Sequence, residues 1–154
     1  MKSAVIYISV IAALGGFLFG FDTAVISGTV ESIKSPEFGF GLTAGELGFA
    51  VASVLIGSAI GAWYAGIAAI KFGRVKVMLI ASVLFSLSAI GSAFAFNLWD
   101  FSFWRLVGGL GVGIAAVIAP AYIAEVSPAH LRGRLGSLQQ LAIAIGLLVS
   151  FISN

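Results

Sequence analysis

The sequence predicts an all-α transmembrane protein, and three observations carry that expectation. Of its 154 residues, 60% are hydrophobic and only 9% are charged. Mean hydropathy is +1.15. The apolar residues are also gathered into long unbroken runs rather than scattered. A water-soluble domain keeps roughly a quarter of its residues charged, so lipid is the solvent that suits this chain. A helix that crosses about 30 Å of hydrocarbon needs about 20 mostly apolar residues. Such runs fall at 5–27, 47–70, 77–98 and 101–124, and a fifth begins near Ser137 and is cut off at Asn154. None alternates apolar with polar residues, which excludes a β-barrel. The absence of cysteine excludes disulfides and thiolate metal sites. A net charge of +2 gives no footprint for nucleic acid.

The first run follows Lys2 and superficially resembles a signal peptide. It is too long for one, contains Asp22, and lacks a convincing small-residue cleavage site, so it reads as a span. Gly15, Gly16 and Gly20 mark it. The connection over 28–46, with Pro36, Gly39 and Gly41, reads as an external turn region. Gly57, Gly61 and Gly66 lie along the second run. The third follows Lys71, Arg74 and Lys76, and Trp99 and Trp104 flank Asp100 where the fourth begins, as an outer interfacial anchor would. Gly108, Gly109, Gly111 and Gly113 crowd the fourth run, Pro120 is expected to kink it, and Pro128 ends it. Glycine at such spacings lets backbones approach in lipid, which argues for a tight bundle.

Short connections alternate sides. Lys2, Lys71, Arg74, Lys76, Arg132 and Arg134 fall on one side; Lys34 is the one basic residue on the other, with Glu31, Glu37, Glu46 and Asp100. By the positive-inside rule the N-terminus is cytoplasmic.

Two ionisable residues lie within the expected spans. Asp22 sits about 8 Å below the outer end of the first, and Arg105 about 8 Å into the fourth. Charges inside a membrane are costly and point to function. Two readings stand side by side. The residues form a structural ion pair with Arg105 snorkelling to the interface, or they form a proton site. In the second reading, burial favours a neutral carboxyl, a neighbouring guanidinium favours its ionised form, and conformational change switches between them. Arginine keeps its proton, so Asp22 is the group that titrates.

Longer patterns carry a family resemblance. GGFLFGFDTAVISG in the first run, GSAIGAWYAGIAAIKFGRVK around the second connection, and RLVGGLGVGIAAVIAPAYIAEVSPAHLRGRLGSLQQLAIAIG resemble the sugar porter family of the major facilitator superfamily. The last contains Pro-x-Tyr-x-x-Glu-x-x-Pro-x-x-x-Arg-Gly followed by Gln. The resemblance spans the whole chain. It implies the N-terminal half of a 12-helix fold, with about 4.5 helices present, so the chain is expected to be a fragment that does not transport alone. The missing C-terminal half would hold most sugar contacts, the substrate site lying near the midplane between halves.

The resemblance also implies roles. Proton-coupled members carry an aspartate at the position of Asp22, paired with an arginine at that of Arg105, and passive members commonly lack the acid. Gln140 corresponds to a sugar-binding position, with Phe19 and Ile143 facing the sugar. The adjacent Gln139 lies about 100° away and reads as packing or lipid-edge polarity. Gly73, Arg74, Glu125 and Arg132 correspond to a cytoplasmic gating network; Arg74, Arg132 and Arg134 serve topology in any case. The loop departs from the family pattern Asp-Arg-x-Gly-Arg-Arg: Ile70 replaces the acid and Val75 an arginine. A weaker gate follows, and Ile70→Asp is expected to strengthen it; unchanged transport and conformational populations would count against that.

The expected function is secondary active sugar transport by alternating access, as sugar:proton symport, in a bacterial inner membrane. A passive sugar uniporter, a carrier of another polyol or an organic acid, and a non-transport sensor or subunit are the alternatives. No enzyme is expected: there is no nucleophile with a base, no metal cluster and no phosphate loop, and His130 is the only histidine. No cofactor or metal is implied. The partners are the sugar, a proton, the bilayer and the missing half.

Overall fold

The computed structural model describes residues 2–34 and 43–153, apart from some side chains toward the ends of the first helix, at the start of the second and at the end of the fifth. The external turn region expected over 28–46 is narrower than that, since α1 runs on to Lys34 and α2 starts at Ala44; Pro36, Gly39 and Gly41 lie outside the described residues. Five helices follow one another: α1 (Lys2–Lys34), α2 (Ala44–Phe72), α3 (Arg74–Ala93), α4 (Leu98–Val126) and α5 (Arg132–Ser153). No strand occurs among the described residues. Four of the helices are long and apolar enough to cross a membrane over their described residues, and Ser9–Ala24 of α1 adds a shorter apolar stretch.

The helix ends have local causes. Thr43 caps α2: its hydroxyl accepts from the Glu46 amide (3.4 Å), while the Glu46 carboxylate accepts from the Thr43 amide (2.9 Å) and hydroxyl (2.7 Å). This reciprocal box satisfies amides that the first turn leaves without partners. Gly73 joins α2 to α3 as a single residue with φ +84° and ψ 153°, a conformation that side chains with a Cβ avoid. The third expected span reaches 98, but α3 closes at Ala93. Asn97 accounts for the difference, because its side chain accepts from the Asp100 amide (3.0 Å) and starts α4 there. Apolar composition continues through residues 94–96, so hydropathy does not mark that boundary. The helix α4 runs unbroken past Pro120 to Val126. After Pro128, whose carbonyl accepts from Leu131 and Arg132, the chain turns into α5.

Packing centres on α4, which meets all four other helices, while α1 pairs chiefly with α5. Small residues set these distances. A methyl at Gly57 or Gly61 of α2 would collide with the backbone of Leu106 or Leu110 in α4. A methyl at Gly109 or Gly113 of α4 would collide with the backbone of Val54 or Ser58 in α2. Two small-xxx-small rows thus face each other, the arrangement that brings backbones into contact in lipid. Gly108 and Gly111 face α3 instead, at Ser88 and Ala81. Along α1 and α5, Gly20 meets Ile143 and Gly146 meets Phe17.

The interior is correspondingly small: Ala12, Ala65, Ala69 and Ala81 are buried, with Ile118 and Ile123 the bulkiest fully buried side chains. Large apolar groups point outward, Trp63, Ile67, Phe96 and Ile152 among them. That inversion of the water-soluble pattern is what a lipid solvent, or contact with further helices, demands.

Candidate functional site

The two charges buried among the spans meet. Arg105 of α4 donates from Nη1 to Asp22 Oδ1 (2.9 Å) and from Nη2 to Asp22 Oδ2 (3.1 Å). The arginine is 7% exposed and the aspartate side chain 26%. This two-pronged geometry matches a planar guanidinium to a planar carboxylate and is the strongest form of such a pair. Pairing offsets part of the cost of removing both ions from water. The aspartate keeps an edge open to its surroundings.

Gln140 and Ile143 are three residues apart on one face of α5. Gln140 is exposed; Ile143 is half-buried against Gly16 and Gly20 of α1. Phe19 is half-buried next to Gly20, and its carbonyl accepts from the Thr23 hydroxyl (2.8 Å). Ile143 thus lies in the seam between α1 and α5, Phe19 is next to a seam residue in sequence, and Gln140 is exposed one turn from Ile143. Two apolar grooves flank the bundle, the second of them along α1 and α5. One, of about 440 Å³, lies between α1, α3 and α4 beside Leu18, Met78 and Phe85; the other lies between Val10, Phe17, Leu138 and Ile145. Neither is lined by Phe19, Gln140 or Ile143. A hydroxyl-rich ligand would find few partners in either.

A second ion pair sits where α3 begins and α4 ends. Arg74 donates to Glu125 from Nη2 (2.6 Å) and Nε (3.3 Å), with both side chains partly exposed. Gly73 makes this possible: its positive φ turns the chain so that the next residue opens α3 facing the last turn of α4. Arg132 opens α5, is exposed, and has no ion pair among the described residues. Ile70 is 87% exposed near the end of α2, and Lys71 lies over the Phe72 ring (5.5 Å). The Arg74–Glu125 contact places Lys71, Arg74 and Lys76 at the same end of the bundle as Arg132 and Arg134. The Phe49–Trp99 ring contact (5.7 Å between centroids) joins the other ends of α2 and α4, where Glu46 and Asp100 lie.

Sequence reasoning gives some residues a different weight. Gln139 is 7% exposed in the α1–α5 seam, with its Oε1 buried and without a partner among the described residues, which is the packing position and not the lipid edge of its two readings. Its i+4 spacing to Ile143, which also meets Gly16, is the signal that could have placed it. Trp104, expected to anchor at the interface beside Trp99, packs its indole over Gly91 of α3, while Trp99 stays 72% exposed. Ser102, unremarked in the sequence, is buried one turn before Arg105.

These features define a multi-pass helical membrane protein with an ion pair buried between spans. The chain belongs to the family described as Sugar (and other) transporter, which matches residues 8–154. It is similar to a glucose transport protein of Synechocystis sp., at 59% identity over 97% of this chain and 31% of that protein. It is also similar to a D-xylose-proton symporter of Escherichia coli, at 41% identity over 99% of this chain and 36% of that protein. A solved structure of the proton:xylose symporter XylE bound to 6-bromo-6-deoxy-D-glucose superposes with a TM-score of 0.87, at 40% identity, covering 99% of this chain and 37% of that one. The architecture is thus that of the N-terminal part of a major facilitator fold. The chain spans about a third of the length of these relatives.

Proposed function

We propose that this chain supplies the N-terminal helices of a sugar carrier that works by alternating access and is coupled to protons through Asp22. The observation that carries the reading is the two-pronged Asp22–Arg105 pair between α1 and α4. A proton on Asp22 removes the carboxylate charge and weakens its hold on Arg105, which stays charged. Relative motion of α1 and α4 then becomes cheaper in the protonated state, and that links proton occupancy to conformation. The kinship with a D-xylose-proton symporter supports both the sugar and the proton.

The sugar binds beside Gln140, whose amide supplies both donor and acceptor, with Phe19 and Ile143 offering apolar surface. A second half of the fold faces this surface and completes the site, as in carriers whose substrate lies between repeats. Arg74 and Glu125, with Gly73 shaping the turn and Arg132 close in sequence to the same end, act as the inner lock. The basic residues at that end set it on the cytoplasmic side, with the N-terminus, in a bacterial inner membrane. The cycle needs no covalent chemistry, cofactor or nucleic acid.

The test is uptake of labelled hexoses and pentoses by the complete transporter in liposomes, with and without an inward proton gradient. Accumulation above the gradient-free level is expected. No uptake of any sugar would overturn the reading. Equal uptake in both conditions would favour a passive carrier, the second reading, for which the 59% identity to a protein described only as a glucose transport protein speaks.

A further inference from the structure

Several serine hydroxyls in these helices donate to a carbonyl of the preceding turn, Ser53 to Ala50, Ser58 to Leu55, Ser82 to Leu79, Ser86 to Ser82 and Ser137 to Arg134, while the buried Ser9 and Ser92 hydroxyls find no partner among the described residues. Ser88 donates across to the Trp104 carbonyl (2.6 Å). Ser102 does neither. It is 4% exposed in α4, and its Oγ has no hydrogen-bond partner among the described residues. One turn further on, Arg105 uses Nη1 and Nη2 on Asp22, while its Nε is buried and also unpartnered. Residues three apart on a helix share a face, with Cβ atoms about 5–6 Å apart. That puts the Ser102 hydroxyl and the Arg105 Nε–H, neither with a direct partner among the described residues, one turn apart on α4. Burying both without a partner is costly, and buried water is found where polar groups would otherwise go unmatched.

We propose that Ser102 Oγ and Arg105 Nε hold one buried water, and that through it Ser102 positions Arg105 for its exchange with Asp22. The coupling part of this rests on the symport reading above. When Asp22 takes a proton, the guanidinium keeps its charge and loses its counter-ion. The water offers it a neutral acceptor within the bundle, so Arg105 stays aimed at α1 and recaptures the carboxylate when the proton leaves. Ser102 touches neither sugar nor proton and is a positioning residue.

The test uses the complete transporter in lipid nanodiscs with ¹⁵N-labelled arginine, the Arg105 Nε–H resonance being assigned by its loss in Arg105→Lys. A cross-peak from that resonance to water is expected in the parent protein and in Ser102→Thr, and its loss in Ser102→Ala. In liposomes, Ser102→Ala is expected to lower gradient-driven accumulation roughly tenfold, the factor one neutral hydrogen bond carries. Ser102→Thr should restore it, with melting temperatures unchanged in both. No water cross-peak in the parent protein overturns the proposal even if Ser102→Ala does not fold. So does a cross-peak that survives Ser102→Ala, or a shared loss of accumulation and melting temperature in Ala and Thr alike. A parent protein that shows the cross-peak but no gradient-driven accumulation supports the water and overturns the symport reading instead.

Discussion

Replacing Asp22 with asparagine separates the charge of the α1–α4 pair from its shape. The parent pair has two charge-assisted hydrogen bonds of 2.9 and 3.1 Å to an arginine that is 7% exposed. Deleting one member of a buried pair costs about 3–5 kcal/mol, because the other charge is left without compensation. Asparagine is milder. Its carbonyl oxygen still accepts one bond, while its NH2 turns a second acceptor into a donor facing a donor. One bond to a charged group is lost, about 1.5–3 kcal/mol. The 26% exposure of the Asp22 side chain admits water as a substitute, which points to the lower part of that range, about 1.5–2 kcal/mol. The protein should therefore fold and melt at a modestly lower temperature. Its transport should change far more. An amide takes up no proton in the physiological range, so gradient-driven accumulation should fall to the equilibrative level. Sugar exchange across the same liposomes needs no net proton movement and should persist. Accumulation at the parent ratio in Asp22→Asn would refute the coupling role. Equal loss of exchange and accumulation in a protein that still folds would reduce the pair to a structural tie.

Three further outcomes follow from the packing and the caps. Gly113→Ala places a methyl against the Ser58 backbone, which cannot yield, and should destabilise the protein by about 1–3 kcal/mol in a detergent melt. Gly66→Ala, with nothing within 4 Å, should be neutral or stabilising by up to about 1 kcal/mol through helix propensity; equal effects would mean that the α2–α4 contact does not limit stability. Gly73→Ala forces a Cβ into a glycine-only conformation at a cost of about 1–3 kcal/mol. It should loosen the Arg74–Glu125 contact, read as a shift of the Arg74 side-chain NMR resonances toward those of the Glu125→Gln protein; unmoved resonances would mean that the turn does not hold the pair. Glu46 lies outside the apolar span, which begins at Gly48, and its carboxyl is held below the ordinary value of 4.5 by the Thr43 hydroxyl and then the Thr43 amide. A lowered folded value means that its contribution is complete above about pH 4.5 and is lost as pH falls through the folded value. Amide exchange in the first turn of α2 should accelerate on that descent, and Glu46→Gln should abolish the pH dependence.

Much of the bundle is legible in the sequence because lipid imposes a blunt requirement on length and polarity. The Asp22–Arg105 contact is legible for the same reason: two ions in apolar runs at like depth have few other partners. The α3–α4 boundary is not, since residues 94–96 are apolar and one asparagine side chain decides where the next helix starts. Neither is the placement of Gln139 and Gln140. Hydropathy treats the neighbours alike, and only the rotation of α5 against Gly16 buries one and exposes the other. Trp104 escapes for a related reason, because the space it fills is an absent side chain on another helix, Gly91.

The glycines of α4 carry this point from fold to site. In sequence, Gly108, Gly109, Gly111 and Gly113 form one cluster with one apparent purpose. In space they divide, Gly109 and Gly113 admitting α2 while Gly108 and Gly111 admit α3. A helix gripped closely on two sides is fixed in rotation, and Arg105, half a turn to one turn before the first of them, inherits that rotation. That rotation turns its guanidinium toward α1, as the two-pronged geometry with Asp22 requires. Loosening the α2 seam should therefore weaken the ion pair at a distance. On this argument Gly113→Ala should disturb the Arg105 side-chain resonances, although position 113 lies about two turns from Arg105.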